Sequence, residues 1–140
     1  MATINASINI SSDIMSYPIN INKSMTMKKA GSCHGLEETS GLNHKKVAST
    51  TRFLLFSNSD ASASGASKVY VRNTGSSKTD YFVVGYGEDL GDTTVETIGR
   101  LYGGDWMLIP WDAVAATTHD IYAFSSTAEA MTIEFMAFTE

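Results

Sequence analysis

The residues that could do chemistry are few. There is one cysteine, Cys33, next to His34, with His44 ten residues on. A structural zinc site needs four ligands, usually in two spaced pairs such as C-x-x-C and H-x-x-x-H. Only one member of each pair is present, so no metal is expected there. Glu88, Asp89 and Asp92 share a glycine-bounded acidic turn, but calcium asks for six to eight oxygens and the EF-hand spacing is absent. No G-x-S-x-G elbow occurs. His119 and Asp120 are adjacent, so on a strand they point to opposite faces and cannot relay a proton to each other. Gly85-Tyr-Gly-Glu fails the spacing of the common nucleotide loops. Carboxylates are plentiful enough for a glycosidase pair, yet no spacing selects one pair over another. We therefore expect a non-enzyme, without catalytic residues, cofactor or metal.

What remains is aromatic. Both tryptophans, Trp106 and Trp111, lie in the stretch from Ile98 to Asp112, after the pair Gly103-Gly104 and astride Pro110. Glycines allow a sharp turn, and proline cannot donate to a sheet ladder, so Trp106 to Ile109 reads as a short strand near an edge. Two large aromatics on such an element can anchor a core or a contact with another molecule. Tyr102, Trp106 and Trp111 are candidate interface residues. With Tyr70, Tyr86 and Tyr122 they could line a sugar-stacking face, or pack a core and hydrogen-bond at its rim.

These side chains need positioning elements, and the pattern is of strands. Ala2, Ile4, Ala6, Ile8 and Ile10 alternate with Thr3, Asn5, Ser7 and Asn9, the period of a half-buried strand. Ile4, Ile8 and Ile10 are candidate interface residues, and residues 2–10 are expected to pair outside their own domain, adding a strand to a neighbour's sheet edge. Ile19, Ile21, Met25 and Met27 repeat the alternation after Pro18. Residues 31–46 carry glycines, histidines and glutamates without period and read as a loop. Val47 to Phe56 reads as one strand, its Phe53-Leu-Leu-Phe56 run covered on both faces. Lys68 to Asn73 and Tyr81 to Tyr86 read as a hairpin around a polar turn. Further strands are expected at Thr93 to Leu101, His119 to Ser125 and Met131 to Phe138. About nine short strands without a convincing helix predict an all-β fold, an antiparallel β-sandwich or jelly roll with an extended N-terminal arm. Residues 1–30 form the arm and first strands, and 31–140 a single sandwich domain.

Composition narrows the partners. Of 140 residues only 18% are charged, against about 25% in ordinary globular proteins. Surface covered by neighbouring subunits would account for the deficit, as would a β-fold with Ser/Thr-rich loops. The net charge of −5 is split unevenly, with 7 Lys/Arg against 4 Asp/Glu in residues 1–70 and 3 against 11 in 71–140. No sustained basic patch exists, so nucleic acid is not expected as a partner. Opposite signs would instead suit contacts between copies, a homo-oligomer. No apolar run approaches the ~20 residues of a spanning helix, and the opening residues have no secretory-signal pattern, so no membrane association is expected. A single cysteine excludes an intrachain disulfide and fits a reducing compartment.

Three stretches together carry a resemblance: Lys68-Val-Tyr-Val-Arg-Asn-Thr-Gly75, Ile98 to Trp111, and Met131-Thr-Ile-Glu-Phe-Met-Ala-Phe138. They look like the small virion structural proteins of tailed bacteriophages, in particular those of marine and cyanobacterial phages, over residues 68–138. The resemblance implies a many-copy virion protein, a capsid decoration (cement) protein bound to the major capsid protein or other virion proteins. A neck, tail or fibre component is similar, with a carbohydrate-binding face on a fibre as the variant. It implies no residues that act in a reaction.

Overall fold

The computed structural model describes residues 4–13, 19–27, 36, 38–60, 66–87, 96–113 and 119–139. In chain order the strands are β1 (Asn5–Ser12), β2 (Ile19–Thr26), β3 (Glu38–Thr39), β4 (Asn43–Val47), β5 (Phe53–Phe56), β6 (Ala66–Asn73), β7 (Tyr81–Gly87), β8 (Glu96–Tyr102), β9 (Trp106–Asp112), β10 (Asp120–Ser125) and β11 (Met131–Thr139). One 3₁₀ turn, Asn58–Asp60, is the only helical element among the described residues. The fold is all-β, as expected, and every strand pairing is antiparallel.

Three sheets are present. β1 and β2 make a separate two-stranded hairpin; β5-β10-β7-β8 form one sheet; β11, flanked by β3 and β4 on one side, continues through β6 to β9 in the other. The last two pack face to face. Val69, Val71, Trp111 and Ile133 of the five-stranded sheet meet Phe82, Val84, Leu101 and Ile121 of the four-stranded one in a single core. All of these but Leu101 are β-branched or aromatic, which suits a pleated, half-buried surface. Phe56 locks the layers together, its ring centroid 5.7 Å from Trp111 and 5.5 Å from Phe135.

Several local expectations are corrected. Lys68–Asn73 and Tyr81–Tyr86 are not a hairpin, because β6 and β7 belong to opposite sheets. The same holds for the expected strand Val47–Phe56, which is two pieces, β4 and β5, in opposite sheets. Consecutive strands usually pair, but here the polar linkers carry the chain from layer to layer. The Phe53–Phe56 run is only partly covered: β5 is an edge strand, Leu55 and Phe56 are buried, and Leu54 is exposed. Part of the expected loop at 31–46 is β3 and β4, paired through backbone groups to β11. The arm, β1, hydrogen-bonds to β2 of its own chain, from Asn5 opposite Thr26 to Ser12 opposite Ile19.

Two layer-crossing linkers support each other. The Gly103 N–H donates to the Ser77 carbonyl at 3.0 Å, and a Cβ on Gly103 would fall 2.6 Å from Ser77 backbone atoms. Asn73, fully buried, donates its side-chain amide to the Leu101 carbonyl at 3.0 Å and accepts the Gly75 N–H at 2.9 Å. Glycine is required at 103 because backbone meets backbone there.

Candidate interaction surfaces

The hairpin register sorts its side chains cleanly. Cross-strand partners share a face, so Ala6/Met25, Ile8/Lys23, Ile10/Ile21 and Ser12/Ile19 lie on one side. Asn5/Thr26, Ser7/Ser24, Asn9/Asn22 and Ser11/Asn20 lie on the other. Lys23 and Ser12 apart, the first face is apolar, and beyond Ala6 it is largely exposed: Ile8 is 40% exposed, Ile10 45%, Ile19 38%, Ile21 41% and Met25 49%. The second face consists of short uncharged polar groups.

The hairpin is anchored at its base. The Met27 N–H donates to the Ile4 carbonyl at 2.8 Å, and Leu36 donates to Met27 at 3.2 Å. Met27, Leu36 and Phe138 are buried in a second small core, with Ile4, Ala6, Tyr70, Leu108 and Met136 packed against it. Tyr70, Leu108 and Met136 lie side by side across β9, β6 and β11. The hairpin base therefore covers the apolar half of the outer face of the five-stranded sheet. A groove of about 250 Å³ continues from there between Ile8, Met25, Trp106 and Leu108.

The uncovered half of that outer face carries a cross-strand row: Trp106 on β9, Arg72 on β6, Glu134 on β11 and His44 on β4. Trp106 is 51% exposed. Glu134 accepts a hydrogen bond from the Tyr70 hydroxyl at 2.8 Å, and its other oxygen lies 3.5 Å from His44 Nε2. Burial raises the Tyr70 pKa, and the bond to Glu134 adds to that. Tyr70, Arg72, Gly104 and Trp106 line a shallow concavity of about 410 Å³.

The candidate residues thus separate. Ile8 and Ile10 share the exposed hairpin face, and Trp106 borders it across the groove. Ile4 belongs to the anchoring core. Trp111 is no interface residue: it is buried in the main core, and its indole N–H donates to the His119 carbonyl at 2.7 Å. Tyr102 is exposed on β8 in the other sheet, its ring centroid 5.1 Å from that of Tyr81 and tilted 55° to it. Tyr122 is buried and Tyr86 is half-buried, so the six aromatics form no single platform. Trp106 does lie on an edge strand, and Pro110 sits inside β9 without ending it. An edge tolerates proline because alternate donors there face away from the ladder. Cys33, His34, Glu88, Asp89 and Asp92 lie outside the described residues, among which no three metal-ligating side chains cluster. No helix of the described residues is long and apolar enough to cross a membrane.

Sequence reasoning missed Ile19, Ile21 and Met25 as surface residues. Their alternation was visible, but only the β1–β2 register puts them on one face with Ile8 and Ile10.

No protein-family model and no curated protein matches the chain. A similar solved structure comes from work on Bacillus endospore appendages, described as a family of disulfide-linked pili. It is 17% identical, with 77% of this chain and 96% of that chain covered at a TM-score of 0.43. A likeness at that level transfers nothing of that protein's role to this chain.

Proposed function

We propose that this chain is a non-enzymatic structural protein of a tailed-bacteriophage virion, assembled in the host cytoplasm. Its role is capsid decoration: a cement protein that holds shell subunits together through several modest contacts. The observation that carries the assembly part is the exposed apolar face of the β1–β2 hairpin. Monomeric proteins rarely leave such a continuous apolar patch in water. A cement protein binds the assembled shell in preference to free subunits and so stabilises it by mass action, with tethered contacts adding avidity. The virion setting is supported by the resemblance of residues 68–138 to phage structural proteins. Copy number per particle, read from a stained gel, tests it. Hundreds of copies fit a shell component; a dozen or fewer fit a neck or tail part; absence from particles ends the reading.

A second reading, a fibre or tail component with a carbohydrate-binding face, is favoured by the row Trp106, Arg72, Glu134 and His44. An exposed indole can stack on the apolar face of a sugar while neighbouring polar groups bond its hydroxyls. Glycan-array binding that Trp106→Ala abolishes would support it, and an array without hits would remove it.

A further inference from the structure

The outer row of the five-stranded sheet sets one indole beside one cation. Trp106 on β9 and Arg72 on β6 are direct cross-strand partners, so their Cβ atoms leave the same face about 5 Å apart. Both side chains are exposed. The next group along the row is a carboxylate that is already engaged and covered. The Glu134 side chain is 12% exposed, accepts the Tyr70 hydroxyl at 2.8 Å and turns its other oxygen to His44 at 3.5 Å. Asp105, which precedes Trp106, is folded back to accept the Tyr102 N–H at 2.9 Å. Arg72 has no ion-pair partner among the described residues. Across the groove on the other side of Trp106 stands Lys23, exposed and likewise without an ion pair among the described residues. In a chain of net charge −5, two uncompensated cations thus flank one exposed indole.

The floor between them leaves room for a ring. Tyr70, Arg72, Gly104 and Trp106 line the concavity of about 410 Å³, and open space surrounds Gly104. A sugar ring presents C–H groups to an indole and hydroxyls at its rim. The Tyr70 hydroxyl, which donates to Glu134, can still accept from one of those hydroxyls. A neutral sugar leaves the guanidinium unused, whereas the two oxygens of a carboxylate match its planar fork. In a hexuronic acid the carboxylate leaves the ring edge, so a ring laid on Trp106 sets it over the neighbouring residue of the row. We propose that this concavity binds an acidic sugar, its ring against Trp106 and its carboxylate on Arg72, with Lys23 adding attraction from across the groove. A nucleic-acid strand fits less well, because its phosphates need a run of cations along the backbone.

This rests on the reading of the face as carbohydrate-binding and adds the charge of the ligand, so the two fail differently. The full chain is titrated by calorimetry with oligogalacturonate and with its fully methyl-esterified form, which keeps the rings and loses the charge. The acid should bind about tenfold tighter than the ester, and the difference should shrink as salt is raised. Arg72→Gln should bind the two forms alike, and Trp106→Ala should bind neither. Lys23→Gln should weaken binding of the acid by a smaller factor and keep the preference. All three positions are exposed, and unchanged thermal midpoints identify folded variants. Equal affinity for acid and ester overturns the proposal and leaves the carbohydrate reading standing. An Arg72→Gln chain that still prefers the acid overturns it too. So does a glycan array, carrying acidic and neutral sugars, on which no carboxylate-bearing glycan binds: neutral hits alone leave the carbohydrate reading in place, and no hits remove both.

Discussion

Ile10 and Ile21 stand opposite each other in the β1–β2 ladder, on the same face, and both are more than 40% exposed. Two β-branched side chains in register across an antiparallel pair stabilise a hairpin by a fraction of a kcal/mol, roughly 0.2–1. That is far less than two buried isoleucines contribute in a core, about 1.5–3 kcal/mol each. Their placement is better explained by what they meet outside the chain than by what they do for its fold.

The sandwich itself depends on a point where two linkers touch. Gly103→Ala would push a methyl group into the Ser77 backbone, and backbone cannot rotate away. A loss of about 2–4 kcal/mol is expected in chemical denaturation. Gly104→Ala is the control: open space surrounds it, but its φ of +90° strains any side chain, for about 1 kcal/mol. Equal losses at the two positions would show that the linkers are not in contact.

The two tryptophans should behave differently. Trp106 is half in water and Trp111 is enclosed, its N–H bonded to His119. In Trp111→Phe, emission from Trp106 should be red-shifted and readily quenched by acrylamide. In Trp106→Phe, emission from Trp111 should be blue-shifted and protected. Trp111→Ala should cost about 3–5 kcal/mol of stability, and Trp106→Ala far less.

The extent to which this was legible in the sequence follows from the range of the interactions. Alternation at Ile4 to Ile10 and at Ile19 to Met25 revealed strands, because a period of two is a local property. The all-β class followed from the same signal repeated along the chain. The partner of each strand was not legible: Asn73 ends β6 in one layer and Tyr81 begins β7 in the other, yet the seven residues between read like a hairpin turn. Likewise nothing local marks Trp111 as core and Trp106 as surface. They are five residues apart on one strand, and opposite faces separate them only once the second sheet is in place.

Alkaline pH should weaken the fold. Burial raises the Tyr86 pKa, and the nearby Asp112 carboxylate raises it further; burial and the bond to Glu134 do the same for Tyr70. A raised folded pKa stabilises the protein fully below the unfolded value of 10.0, and that stability is lost as pH rises through the folded value. Denaturation midpoints should therefore fall above pH 10. The Tyr70→Phe/Tyr86→Phe double variant should fall less steeply than wild type; an identical slope would contradict the assignment.

The most direct test of the account is amide hydrogen exchange across β1 and β2 in the free chain and in assembled particles. A free hairpin with an exposed apolar face opens readily, whereas a covered one opens only when its contact dissociates. We expect residues 5–12 and 19–26 to exchange quickly in the free chain and to become protected in particles, with the sandwich strands unchanged. Exchange in the hairpin that is the same in both states would contradict the claim that its apolar face is an assembly surface.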